Sequence, residues 1–532
     1  MARKWSRWCF VAAMLLMLTD VTAAQLPQPI VASTYRNPIN LGNMGDPYVL
    51  RWNGRYYLYP TTGGQGLRSW VSEDLIHWQS LGYVAQEPVA RGAYAPEVIY
   101  WNGTFYMYLS RPNDGHYVLT SESPTGPFTQ QTQSLGWSID GSVFIDHDGR
   151  WYFTHAAGRG IRGHQMSDPY TIGPEVRLDS DLGGWTEGPG IFYRQGFYFM
   201  TYCGNHYLSK GYRIHYSVSD TGPLGPWQMA ANNPIVLNTS DDFSGLGHNS
   251  NVIGPDLDSY YMAYHNRQVE FGSSIRLLNI DRLVFNGKKL SVLGAANRSQ
   301  PVPKMADFYT WIDEDGYDDR WQELVIDGLQ LLVGRPETAA DYTAEFNFHI
   351  QERPTQPHAF IGAVFSYVDA ANFIYVIVDL TEHQLIAVAV REGRHEPLGD
   401  APLPREFDFT KLHTIRVEKD GHQARIYCDG MLKLQLALGQ VEGGKIGYVY
   451  KQVEPVFRFT AFSNDVSGSS DYNVYKPIPG EIEAVHYLQD DGHFAQGGRA
   501  DNPLRRGDAT RIRIIDDRYV LQLAAGEWTR YN

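Results

Sequence analysis

"DPYVLRWNGRYYLYPTT", residues 46 to 62, opens on an acid and a proline, runs through a short apolar stretch, turns at Trp-Asn-Gly and returns behind an aromatic pair. Asn-Gly supplies the positive φ angles that a tight hairpin needs, so the stretch reads as two antiparallel strands. The plan recurs in "APEVIYWNGTFYMYLS" (95 to 110), "DGSVFIDHDGRWYFTHA" (140 to 156), "WTEGPGIFYRQGFYFMTY" (185 to 202) and "HNSNVIGPDLDSYYMAYH" (248 to 265). The aromatic pairs begin at Tyr56, Phe105, Trp151, Phe197 and Tyr260, so the units are spaced by 49, 46, 46 and 63 residues.

Units of this length built from several short strands are propeller blades. The fold class expected is all-β: a five-bladed β-propeller over residues 30–305, followed by a β-sandwich of jelly-roll type. In a propeller the innermost strand of each blade runs along the central channel, so equivalent positions converge on one axis. The unit heads are read as Asp46, Ala95, Asp140, Glu187 and His248. Three carboxylates and a histidine are thus expected to face one pocket. The alternative, acids that only punctuate turns as Asp148 and Asp258 do, fits the trio less well, because all three stand at the same end of the repeat.

Paired carboxylates are the equipment of glycoside hydrolysis, in which a neutral acid protonates the leaving oxygen while an ionised partner activates water or attacks. A third, negative neighbour raises the pKa of the acid and keeps its proton in place. Trp70, Trp137 and Trp185 are candidate platforms for a sugar face, with core or rim packing as the other reading of each.

The bulk numbers bound the rest. With 532 residues and 43% hydrophobic content, the chain can bury two or three domains. Forty-five Lys plus Arg against 59 Asp plus Glu give a net charge of -14, which argues against nucleic acid as a partner. Residues 1–24 carry Arg3, Lys4 and Arg7, an apolar stretch and then small residues, the pattern of a signal peptide cleaved after Ala23 or Ala24. The expected location is therefore secreted, extracellular or periplasmic, with no membrane association after cleavage. Loss of Cys9 leaves Cys203 and Cys428 in different domains, so no disulfide is expected.

Over residues 35 to 305 the chain resembles glycoside hydrolase family 43, through "NPINLGNMGDPYV", "YAPEVIYWNGTFYMY", "WSIDGSVFIDHDGRWYF", "TEGPGIFYRQGFYFMTY" and "GHNS...YYMAYH". The resemblance implies an inverting single displacement, with Asp46 as general base, Glu187 as general acid, and Asp140 as the pKa modulator that also orients the acid. It implies action on α-L-arabinofuranosyl or β-D-xylosyl linkages of arabinan, arabinoxylan or xylan, with galactan a minority substrate in the family. It implies no required cofactor. His248 matches a histidine near the channel axis, in some relatives with a bound calcium or its water shell; a strand cap is the other reading. Arg276 matches an arginine that contacts the sugar, the other reading being a structural pairing with Asp140. Glu97 is read as supporting, and Tyr94 stands where many relatives have Trp, which alters a subsite. Family 32 enzymes share the architecture but carry motifs that are missing here. A catalytically silent carbohydrate-binding propeller is the competing class. The choice of linkage, exo or endo action and the oligomeric state stay open.

From Asp307 onward alternating strands take over. In "YTAEFNFHI" (342 to 350), Tyr342, Ala344, Phe346, Phe348 and Ile350 share one face, the period of a half-buried strand. Residues 306–465 are expected to form the concanavalin-like sandwich, which braces the propeller and walls its pocket rather than binding sugar. "VSGSS" (466 to 470) reads as a linker. Residues 466–532 resemble the opening half of a family 6 carbohydrate-binding module, and 67 residues fall short of the roughly 100 such a sandwich needs, so an incomplete module is expected.

Overall fold

The computed structural model describes residues 34–238, 242–268, 274–439, 441–472, 489–490, 511–515, 518–522 and 529–530. The signal-peptide expectation lies outside the described residues. So does the module-like tail beyond Tyr472, except for two short antiparallel strand pairs.

Each repeat unit becomes an antiparallel sheet of four strands, or five in the third unit, laid down in chain order. The first strands are Gly45–Trp52, Tyr94–Trp101, Ile139–Ile145, Thr186–Arg194 and Gly247–Ile253. The hairpin turns form as the residues dictate: Asn53 and Gly54, Asn102 and Gly103, and Gln195 and Gly196 all have positive φ. The five first strands lie side by side in sequence order, and the fifth lies against the first. That last junction is hydrogen-bonded. Val49 N–H donates to Ser250 Oγ (3.1 Å), Ser250 Oγ–H donates to Pro47 O (2.9 Å), and Met44 N–H donates to Arg276 O (2.7 Å).

Residues 308–463 add two further antiparallel sheets, of six and seven strands, which share a core containing Phe346, Phe348, Ile361, Val376, Ile415 and Tyr448. The face of Tyr342–Ile350 expected to be buried is buried, and so are Thr343, Glu345 and Asn347 on the other face. The strand is covered on both sides because its second face meets the repeat sheets. There Arg51 Nη1 contacts Glu345 at 2.6 Å, and both side chains are nearly buried. Gly54 sits so close to the Phe459 ring that a Cβ would lie 2.2 Å from it.

Four of the five hairpin ends dock against residues 306–463, and the fourth unit's docks just beyond them, at Ser467. Asn53 O accepts from Trp311 Nε1–H (2.8 Å), Asn102 Oδ1 from Asp408 N–H (2.7 Å), and His147 Nδ1 from Leu432 N–H (3.1 Å). Gln195 bonds Ser467 O, and Leu257 packs with Trp311 and Phe459. The unit heads are at the opposite ends of the first strands. The two added sheets therefore brace the repeat sheets from the turn side and do not wall the pocket, which corrects half of the expectation for them.

The expected linker is instead a buried clasp. Gly468 and Ser470 N–H donate to the two oxygens of Asp258 (2.8 and 3.0 Å), so Asp258 does more than mark a turn. Asp471, nearly inaccessible, takes Arg194 Nη2 at 2.9 Å and Arg282 Nη2 at 3.4 Å. Asp471→Ala leaves two buried guanidinium groups short of their counter-charge and should cost ~3–5 kcal/mol, read from urea unfolding. An unchanged midpoint would mean that the clasp carries no stability. Cys203 and Cys428 are both buried and free, as expected.

Candidate functional site

The heads of the five units share one backbone device. The ladder between first and second strands slips at Gly45/Tyr48, Tyr94/Glu97, Ile139/Ser142, Glu187/Gly190 and Gly247/Asn249, so each first strand carries a bulge. In each bulge one residue has positive φ: Asp46, Ala95, Asp140, Gly188 and His248. Each of these N–H groups turns to a neighbouring unit. Ala95 N–H donates to Thr61 Oγ1 (2.8 Å), Asp140 N–H to Ser110 Oγ (2.9 Å), His248 N–H to the Cys203 sulfur, and Asp46 N–H to His265 Nδ1 (3.1 Å). Thr61, Ser110, Cys203 and His265 occupy one equivalent position, opposite the residue that precedes each bulge head. In the third unit that position is Ala156, which has no side-chain acceptor. Gly188 N–H goes instead to Asp140 Oδ2 at 3.1 Å, which ties the second acid to the segment bearing Glu187.

One repeat assignment is corrected by this register. The structural equivalent of Asp46 and Asp140 is Gly188, and Glu187 stands one residue earlier, level with Gly45, Tyr94, Ile139 and Gly247. The signal was in the sequence, since Pro47, Pro96 and Pro189 align and each follows the positive-φ residue. The offset matters because Glu187 enters the pocket from a different strand position and meets different partners. Tyr212 O–H donates to its Oε1 at 2.6 Å, and Trp185 Nε1–H donates to its Oε2.

Asp46 is held as an anion. Arg276 Nη1 lies 2.5 Å from its Oδ1, His248 Nδ1 at 3.3 Å and His265 Nδ1 at 3.6 Å, while Thr61 Oγ1–H donates to Oδ2 at 2.7 Å. Burial alone would raise its pKa, but Arg276, the two histidines and the Thr61 hydroxyl outweigh it and hold the carboxyl well below the usual range. Asp140 shifts the other way: burial, then the charges of Glu187 and Asp46, push it well up against the single Gly188 bond. Glu187 is raised too, by burial first, with its bonds from Trp185 and Tyr212 pulling back. The pocket thus pairs one fixed anion with two carboxyl groups that resist ionising together.

Arg276 pairs with Asp46 and not with Asp140, so the structural alternative had the wrong partner. The guanidinium reaches Asp46 across Gly45, where a Cβ would lie 1.9 Å from Arg276 Cζ. Gly247 plays the matching part for Tyr212, whose ring would meet a Cβ at 2.1 Å. Gly45→Ala should push Arg276 off Asp46, cut turnover at least tenfold and move the acidic limb of the pH profile upward, because Asp46 loses its nearest cation. An acidic limb left where it was would disconnect Arg276 from Asp46.

Of the three tryptophans, Trp185 and Trp137 are part-exposed; Trp185 is bonded to Glu187, and Trp137 lies 4.5 Å (ring to ring) from His164. Trp70 is a correction. It is buried in a core cluster with Tyr56, Leu75 and Ile280, with Arg68 over its ring, and offers no face to a ligand. Tyr94 looks into the pocket: burial and then Asp140, Asp46 and Glu187 push its hydroxyl up to about 12. Glu97 is pushed up to about 8 by burial, against bonds from Ser142 and Val143 N–H. Thr61, Cys203, Tyr212 and His265 were missed by sequence reasoning, although the repeat pattern aligns all but Tyr212.

His248 lies between Asp46 and Asp140 (Nδ1 to Oδ2 of the latter, 3.7 Å), so it bridges two acids rather than capping a strand. Calcium wants six to eight oxygen donors. Around His248 both Asp46 oxygens and Asp140 Oδ2 are already engaged by Arg276, Thr61 and Gly188 N–H, a poor fit for that ion.

A fixed anion facing two protonatable carboxyl groups in one pocket is the equipment of general acid–base chemistry. Comparison with known proteins adds the following likenesses. Residues 35–288, a little under half of the chain, match the model of glycosyl hydrolases family 43. A non-reducing end alpha-L-arabinofuranosidase of Bacteroides ovatus is 29% identical over 260 residues, 44% of this chain and 48% of that protein. A beta-D-galactofuranosidase of Aspergillus niger is 27% identical over 313 residues, 52% of this chain and 90% of its own length. A xylan 1,3-beta-xylosidase of a Vibrio species is 23% identical, covering 44% and 50%. The chain thus spans about half the length of the first and third of these relatives. A solved structure of a thermostable family-43 glycoside hydrolase is 33% identical over 51% of this chain and 99% of that one, with a TM-score of 0.48.

Proposed function

We propose that the protein is a secreted, inverting glycoside hydrolase that removes α-L-arabinofuranosyl or β-D-xylosyl groups from plant cell-wall polysaccharide. The observation that carries the reading is the electrostatic split in the pocket, with Asp46 held ionised by Arg276 while Glu187 and Asp140 are raised. Asp46 orients a water and takes its proton as the water attacks the anomeric carbon. Glu187 gives its proton to the departing glycosidic oxygen. Asp140, tied through Gly188 N–H, keeps the Glu187 segment in place, and because the two carboxyl groups resist ionising together a proton is held on the pair. Trp185 fixes Glu187 through its indole N–H and lends its exposed face to the sugar, as does the exposed Trp137.

The same reading takes the five sheets as a closed five-bladed propeller over residues 30–305 and the pair of sheets over 306–465 as a jelly-roll sandwich. The ring of hydrogen bonds that runs from His265 back to Asp46 supports the closure. The names of the Bacteroides and Vibrio relatives favour arabinofuranosyl or xylosyl linkages; that of the Aspergillus relative favours a furanose ring and carries galactofuranosyl as a second reading.

Aryl α-L-arabinofuranoside, β-D-xyloside and β-D-galactofuranoside, each followed by proton NMR of the anomer first released, test the proposal. Hydrolysis of one of them with inversion is expected. Retention would remove Asp46 from the role of base, and no hydrolysis of any glycoside would favour a binding protein.

A further inference from the structure

In the third sheet, His155 on Trp151–Ala156 and His164 on Ile161–Asp168 lie on one face, because His164 pairs with Phe153, two residues before His155. Their rings are nearly parallel, 5.1 Å apart, and the two Nε2 atoms are 3.0 Å from each other. Both Nδ1 atoms are engaged by carbonyl oxygens: that of His155 lies 2.8 Å from Ala156 O, and that of His164 lies 2.9 Å from Gly173 O. A carbonyl can only accept, so each Nδ1 carries the ring proton and each neutral ring presents a bare Nε2. Two imidazole lone pairs therefore share one small space, and both rings are buried.

The Glu175 carboxylate completes the cluster, with one ligand atom from each residue lying within 4.8 Å of the others. Arg162 Nε holds that carboxylate at 3.2 Å. The Trp137 ring lies 4.5 Å from His164 and 5.4 Å from His155.

We infer that His155 Nε2, His164 Nε2 and Glu175 bind a borderline divalent transition-metal ion of the zinc and nickel class, at a site separate from the acid–base pocket and beneath Trp137. Two imidazole nitrogens with one carboxylate suit such ions, and the backbone carbonyls on both Nδ1 atoms are the outer partners that fix the tautomer a metal needs. Calcium and magnesium, which want oxygen, are excluded by the donor set. The ion turns two opposed lone pairs into two bonds. It also fixes the two rings beside Trp137, one of the two part-exposed tryptophans proposed to face the sugar.

The test uses the full chain stripped with EDTA and titrated by calorimetry with zinc, nickel and calcium in turn, with tryptophan fluorescence followed during the nickel titration. One saturable zinc or nickel ion per chain is expected, nickel quenching tryptophan emission, and calcium giving no heat. Glu175→Gln replaces a part-exposed residue without disturbing the sheet and should weaken zinc at least tenfold; His164→Gln should abolish binding. Loss of the nickel quench in Trp137→Phe would place the ion under that ring. The inference is overturned if the folded protein binds neither metal, if calcium binds as well as zinc, if either ligand variant binds zinc as the parent does, or if the quench survives in Trp137→Phe.

Discussion

Glu187→Ala should lose about 10²- to 10⁴-fold in kcat on a natural oligosaccharide, and much less on an aryl glycoside whose leaving group departs without a proton. The contrast follows from the role: an alkoxide leaving group needs the acid, whereas a dinitrophenolate does not. The pH profile should change with it. Glu187 must be protonated to act, and its pKa is raised, so the parent should lose activity as pH climbs through that raised value; the variant should lack this basic limb. Because Tyr212 and Trp185 both bond the carboxylate, Glu187→Gln keeps the side chain in place and separates loss of the proton from loss of shape. Equal losses on both substrates would move the acid elsewhere, with Asp140 the next group to test.

Asp46→Ala should fall about as far, but without regard to the leaving group, since the base acts on water and not on the departing oxygen. Added azide, a nucleophile that needs no base, should restore turnover and yield a glycosyl azide of inverted configuration. The acidic limb in the parent should lie well below the ordinary carboxylate range, because Arg276 and the Thr61 hydroxyl favour the ionised form and activity fails only as pH falls through that lowered value. No rescue by azide, with the fold intact, would mean that Asp46 holds Arg276 rather than water.

The fold was legible in the turns and aromatic pairs. Asn-Gly at residues 53–54 and 102–103 fixes a backbone that few other pairs accept, and five copies of one plan require five sheets. Asp46 and Asp140 were legible as equivalent heads, and Arg276 only through resemblance to a family. Glu187 was found for a partly wrong reason: the repeat was aligned on the acid, whereas the backbone aligns on the prolines, one residue on. Trp70 failed because a tryptophan on a third strand looks the same in sequence whether it meets solvent or the next sheet.

The sequence by itself determined the five hairpins, the all-β class and the identity of the three acids, because turn geometry and strand period are local properties written within a few residues. Only the tertiary structure decided which acid is charged. Arg276 comes from some 230 positions away to reach Asp46, passing a glycine that lets it through, and Ala156 leaves Gly188 N–H free to hold Asp140. Charge state depends on burial and on neighbours brought together by folding, and neither is written in the residues beside the acid.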